Sequence, residues 1–253
     1  MWVRKSMTNN KFKSEIIFFA IMISVYFALV NLANILSVAI NIPNSINAIV
    51  EIIFPIAVIV YLKKKKLLSY YGINKLKWLH YKNLLFCIPM IIVALTNLRY
   101  GIHINYSWYQ IILISIESLG VGFSEEILFR SFLMKAIMNK SSIVAISISS
   151  IVFGMLHIFN LFSGADVKLT IAQVIYATAL GLVFAMFFYK TNNVIPCVMC
   201  HSVINITNTF LPKGLSNAQM CTGWIIIIIT SIFYAYYLHK TGKVLIKKYC
   251  AKF

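Results

Sequence analysis

An all-α, polytopic membrane fold of about eight transmembrane helices is predicted for these 253 residues by three observations. The chain is 60% hydrophobic with a mean hydropathy of +0.84. Only 11% of it is charged, about half the usual share in a soluble domain. Uncharged or nearly uncharged runs recur at close to the ~20 residues needed to cross a hydrocarbon core. In lipid the backbone must satisfy its own hydrogen bonds, so such runs are helices rather than separate strands.

The runs fall at 16–40, 46–62, 82–98, 108–134, 141–160, 170–189, 193–211 and 222–239. The first is too long for the apolar region of a leader and lacks a small-residue cleavage site, so it reads as a span. The second stops at the run Lys63 to Lys66. A basic, Gly72-containing loop over 63–81 follows. It sets residues 1–81, two helices and a cytoplasmic loop, apart from the core of the same membrane domain at 82–253. The third span meets Arg99, the fourth ends before Lys135, the fifth begins after Lys140, and the sixth ends before Lys190. The seventh opens with Pro196, which suits a first helical turn because its missing N–H is unpaired there anyway. The eighth closes before Lys240 and a basic tail.

A net charge of +17 raises nucleic acid as a partner, but its placement excludes that reading. With a cytoplasmic N-terminus, Arg4, Lys5, Lys11, Lys13, Lys63 to Lys66, Lys75, Lys77, Lys82, Lys135, Lys140, Lys190 and Lys240 through Lys252 all lie inside. Arg99, Lys168 and Lys213 are left outside. This is the positive-inside asymmetry, with basic loops facing anionic lipid headgroups. It predicts a multi-pass protein of the plasma membrane with both termini cytoplasmic. Five cysteines, an odd number scattered through apolar segments, give no disulfide framework. The terminal CAKF resembles a prenylation box only formally, because Lys252 stands where an aliphatic residue is expected.

Two of the six acidic residues, Glu125 and Glu126, are adjacent inside the fourth span. A carboxylate at the centre of a bilayer costs at least ~2.5 kcal/mol. Arg130 follows Glu126 by one helical turn, which puts the two on one face as an ion pair. Glu125 points about 100° away. One carboxylate is thus neutralised while its neighbour is left for acid/base work. Glu117, two turns earlier, is a further acid of open role. Two more spans each offer an imidazole: Phe153 and His157 lie one turn apart on the fifth, His201 and Asn205 one turn apart on the seventh. A glutamate pair, two histidines and an amide can hold a water or a metal.

These residues form three ordered motifs, EExxxR at Glu125-Glu126-Ile-Leu-Phe-Arg130, FxxxH at Phe153-Gly-Met-Leu-His157, and HxxxN at His201-Ser-Val-Ile-Asn205. In this the chain resembles the CAAX-protease and bacteriocin-processing (CPBP, or Abi) intramembrane proteases. The resemblance spans 125–205. It implies an all-helical fold enclosing a polar cavity open toward the cytoplasm, and hydrolysis of a peptide bond within the membrane. Carried over residue by residue, it implies that Glu125 activates the attacking water and that His157 and His201 hold that water or a metal. Asn205 would donate to the developing oxyanion, with Glu126 and Arg130 positioning the others. Two versions stay open. In one, zinc or another divalent metal is bound by Glu125, His157 and His201 and lowers the pKa of its water; in the other no metal takes part. No HExxH pair is present. The partners implied are a peptide or membrane-protein substrate and membrane lipid, in peptide or bacteriocin maturation, self-immunity or CAAX-like processing.

Counting from the flanking lysines, Glu125 and His201 both lie roughly 15 Å from the cytoplasmic ends of their helices, while His157 counts as deeper. Three other function classes compete. Buried Glu, Arg and His also build proton-coupled transporters, although no paired, interrupted half-helices of the inverted-repeat kind are seen. A catalytically idle immunity or scaffold protein would bind peptide without cutting it. Cys197 and Cys200 offer redox chemistry, supported by nothing beyond their spacing, and with His201 they spell the CxxCH of c-type haem attachment. The topology puts them on the cytoplasmic side, opposite to where such haem is attached, so no haem is expected and the cysteines read as packing.

Overall fold

The computed structural model describes residues 9–74, 88–212 and 214–250. Arg4, Lys5, Lys75, Lys77, Lys82, Lys213 and Lys252 of the charge pattern, and the start of the third expected span, lie outside them. Eight helices follow in order, and no strand occurs among the described residues. They are α1 Asn9–Ala39, α2 Ser45–Lys64, α3 Ile88–Leu95 and α4 Trp108–Glu126, then α5 Ser142–Met155, α6 Val167–Thr191, α7 Ile195–Thr209 and α8 Asn217–Cys250. The order and number are those expected from hydropathy.

Local chemistry sets the boundaries. Asp166 caps α6 by accepting from Leu169 N–H at 2.9 Å, and Ser107 opens α4 with Gln110 in a capping box. Pro196 sits in the first turn of α7 as expected. Asn192, left-handed at φ 47°, ends α6. The docked part of the basic loop returns here. Gly72 N–H and C=O belong to a turn at φ +74°, its carbonyl accepting from Val194 N–H at 2.9 Å. A side chain at Gly72 would run into the ring of Phe188.

Two departures from straight α-helix matter for the site. α4 does not continue unchanged to Lys135: residues Ile127–Met134 form a π-helix, all eight of them buried, before a last α turn at Lys135–Met138. Widened turns of this kind recur at functional sites. Likewise α5 tightens after Met155 into a 3-10 segment, Leu156–Ser163, whose second residue is His157. Neither change is visible in hydropathy. Among the described residues, five helices are long and apolar enough to cross a membrane, by length and composition. α7, at 15 residues, is short for a span, and α4 is broken by its charged π-segment.

α4 lies at the centre, packed on α2 along one side and on α7 along another. Gly120 lets α4 approach α2 so closely that an added Cβ would stand 2.4 Å from Glu51 Cβ and from the Glu51 carbonyl oxygen. Gly122 does the same toward α7, where an added Cβ would stand 2.4 Å from Ser202 Oγ and 3.0 Å from Ser202 N. Asn44 donates to Glu117 Oε2, and Ser124 Oγ donates to Glu51 at 2.9 Å. The two anchor points are seven residues apart on each chain segment, so α2 and α4 run parallel and in register over two turns. That is the direction an alternating up-and-down bundle requires of its second and fourth spans.

Candidate active site

Glu125, Glu126, Arg130, Phe153, His157 and His201 gather where the end of α4 and its π-segment meet α5 and α7. Glu126 is fully buried, and its Oε2 lies 3.0 Å from Arg130 Nε, the ion pair expected from the i, i+4 spacing. The contact is a charge pair rather than an aligned hydrogen bond, and among the described residues Arg130 Nη2 has no hydrogen-bond partner. Arg130 is wholly buried and held on three further sides. Its Nη1 donates to Ser149 Oγ at 2.8 Å, and its guanidinium lies over the rings of Phe153 at 4.8 Å and Phe184 at 5.9 Å. Aromatic faces stabilise a desolvated guanidinium where water cannot.

Both glutamates meet one histidine, which spacing alone does not reveal. Glu126 Oε1 lies 3.2 Å from His201 Nδ1, and Glu125 Oε2 lies 3.7 Å from His201 Nε2. A carboxylate at Nδ1 fixes the ring orientation and favours the proton on that nitrogen, which leaves the Nε2 lone pair toward Glu125. At 3.7 Å Glu125 and His201 do not hydrogen-bond each other. Glu125 is the more accessible acid, its side chain 23% exposed against 0% for Glu126. The difference in environment expected of the adjacent carboxylates is therefore present.

Phe153 joins the two imidazoles. Its ring packs edge-on to His157 at 5.8 Å and to His201 at 5.5 Å, while Phe184 stacks on His201 at 5.9 Å. His157 thus belongs to the cluster through Phe153. It is half-buried at the start of the 3-10 segment, and neither its ring nor the Asn205 amide makes a hydrogen bond among the described residues. Asn205 lies one turn beyond His201, also half-buried. Among the described residues no three His, Cys, Asp or Glu side chains gather closely enough to hold a metal ion, and Glu125, His157 and His201 as arranged form no such set. Cys197 and Cys200 are buried packing residues, Cys197 against the Phe184 carbonyl at 3.5 Å.

The sequence reading passed over several contributors. Ser149 steadies Arg130, Phe184 covers His201, and Ser202, beside His201, donates to the Leu119 carbonyl at 3.3 Å. The largest omission is Glu51 on α2, 1% exposed, which accepts hydrogen bonds from Tyr26 at 2.8 Å and Ser124 at 2.9 Å. The signal that singled out Glu125, an acid in an apolar run, is equally present at Glu51. Glu117 finds its partner in Asn44.

Residues 106–207 match the family model described as type II CAAX prenyl endopeptidase Rce1-like. No curated protein and no solved structure matches the chain at a significant level. The matched segment begins just before α4, ends within α7, and contains all three motifs.

Proposed function

From the match of residues 106–207 to the Rce1-like family of type II CAAX prenyl endopeptidases, we propose that the chain is an intramembrane endopeptidase in which Glu125 activates the attacking water. The observation that carries this reading is the division of labour between the adjacent acids. Glu126 is neutralised by Arg130 and tied to His201, whereas Glu125 stands partly exposed 3.7 Å from His201 Nε2. One water can hydrogen-bond both of those atoms at ordinary distances.

In the proposed reaction Glu125 takes a proton from that water, and the oxygen attacks the carbonyl carbon of a peptide bond. The Asn205 amide donates to the oxyanion, an interaction most effective in a dry, preorganised site. Collapse breaks the C–N bond, and Glu125 returns its proton to the leaving amine. His201 orients the water through Nε2, and His157 closes the other side of the Phe153 ring. Were zinc or another divalent ion resident, Glu125, His157 and His201 would be its donors and would have to draw closer together. The substrate class is a peptide or membrane-protein segment, in peptide or bacteriocin maturation, self-immunity or CAAX-like processing. The enzyme works in the plasma membrane with both termini cytoplasmic.

The test is cleavage of a peptide library by the purified full-length protein, with Glu125→Gln alongside and metal content measured on the same samples. Cleavage by the wild type and none by the variant supports the reading. Equal cleavage by both removes Glu125 from the chemistry. Activity in samples without bound metal removes the zinc version, and ion flux abolished by Glu125→Gln without any cleavage turns the assignment to a transporter.

A further inference from the structure

Glu51 stands outside the three motifs and outside the matched segment, yet it is bound to the turn of α4 that carries Glu125. Its carboxylate is 1% exposed inside α2, a helix long and apolar enough to span the membrane. Both oxygens are engaged, one by Tyr26 OH from α1 at 2.8 Å and the other by Ser124 Oγ from α4 at 2.9 Å. Neither partner carries a charge. No Lys, Arg or His forms an ion pair with Glu51 among the described residues.

An acid buried in a span without a counter-cation is a functional residue by default, because a neutral side chain would brace the same helices without the desolvation. Its placement says what it acts on. Ser124 is fully buried and immediately precedes Glu125. One turn earlier Gly120 packs directly on the Glu51 backbone. The backbone contact fixes how close α4 comes to α2, and the Ser124 hydrogen bond fixes its rotation about its own axis. On the opposite side Gly122 fixes the distance to Ser202, and therefore to His201 on α7. α4 is gripped from two sides within one turn of Glu125, and a small rotation there would carry the Glu125 carboxylate away from His201 Nε2.

We infer that Glu51 is a positioning residue of this site: it holds α4, through Ser124, at the rotation that aims Glu125 at His201. The inference rests on the proposed hydrolytic reading for its kinetic consequence and on geometry alone for its structural one. Glutamine at this position keeps both hydrogen bonds, since its carbonyl oxygen accepts from Tyr26 and its amide donates to the Ser124 oxygen. Alanine keeps neither.

The experiment compares Glu51→Ala, Glu51→Gln and Ser124→Ala with wild type in the full-length protein, using a peptide that the wild type cleaves. Misplacement of a reacting group by about 1 Å lowers rates by on the order of 10²-fold. Glu51→Ala is expected to lose about that factor in kcat with KM little changed, Glu51→Gln to recover most of the loss, and Ser124→Ala to lose about 10-fold. Loss equal in alanine and glutamine variants, or loss that only follows the folded yield, overturns the inference, as does wild-type kcat in Glu51→Ala. Where Glu51→Ala does not fold, Ser124→Ala decides. The second readout is the ring 15N resonances of His201, assigned by their disappearance in His201→Asn. They are expected to move in Glu51→Ala and Ser124→Ala and to stay near wild type in Glu51→Gln. Should the wild type cleave no peptide, the hydrolytic reading fails, and unchanged His201 resonances across all three variants would then sink the positioning role separately.

Discussion

Glu126 and Glu51 are both fully buried carboxylates on apolar helices, yet they are stabilised in different ways. Glu126 meets charge with charge: Arg130 at 3.0 Å and His201 at 3.2 Å, with the guanidinium itself wedged between Phe153 and Phe184. Glu51 meets only two hydroxyls, from Tyr26 and Ser124. The first arrangement is a closed ionic network whose members depend on one another. The second is a polar seam between α1, α2 and α4 in which each hydrogen bond can be lost singly. Proximity in sequence is a poor guide to which acids share a site: Glu126 adjoins Glu125 in the chain, while Glu51 reaches the same turn of α4 from another helix through Ser124.

The largest expected effect breaks the ionic side. Arg130→Met leaves Glu126 buried without its cation and should destabilise the protein by about 3–5 kcal/mol, read as a loss of folded material in detergent unfolding curves. Asn205→Ala should instead leave stability unchanged and lower kcat by about 10²-fold, the loss typical of an oxyanion donor. A drop in stability with unchanged kcat would make Asn205 a brace. Gly120→Ala tests the seam from the backbone side. Its methyl has no room beside Glu51, so α2 and α4 must part at an expected ~1–3 kcal/mol, measured as a lowered unfolding midpoint. The smallest effect belongs to Tyr26→Phe, which removes one of the two hydroxyls on Glu51 and should cost about 1 kcal/mol. A much larger loss would show that the seam is as interdependent as the ionic network.

Much of this was legible in the sequence. Eight apolar runs gave eight helices, because hydropathy and the backbone's need for internal hydrogen bonds act at the scale of a whole span. The i, i+4 spacing of Glu126 and Arg130 foretold their ion pair, and Glu125, Glu126 and Phe153 of the motifs meet at His201. What spacing could not supply was contact between helices. That His201 sits between both glutamates follows from Gly122 letting α4 and α7 touch at Ser202. The π-segment at Ile127–Met134 and the 3-10 segment that begins at Leu156 alter the pitch without altering the apolar pattern, so neither is legible in hydropathy. Glu51 was missed for another reason: it belongs to no motif with its partners, Tyr26 being 25 residues away and Ser124 being 73.

In the proposed reaction everything turns on Glu125 taking the proton that makes water a nucleophile. The most direct test of that step is the single-turnover cleavage rate of one identified peptide by wild type and by Glu125→Gln, reconstituted in the same bilayer with folded fraction and peptide affinity measured in parallel. The rate expected for Glu125→Gln is lower by about 10³-fold, within the range of a lost general base, at unchanged folding and binding. Cleavage by Glu125→Gln at the wild-type rate would contradict that role.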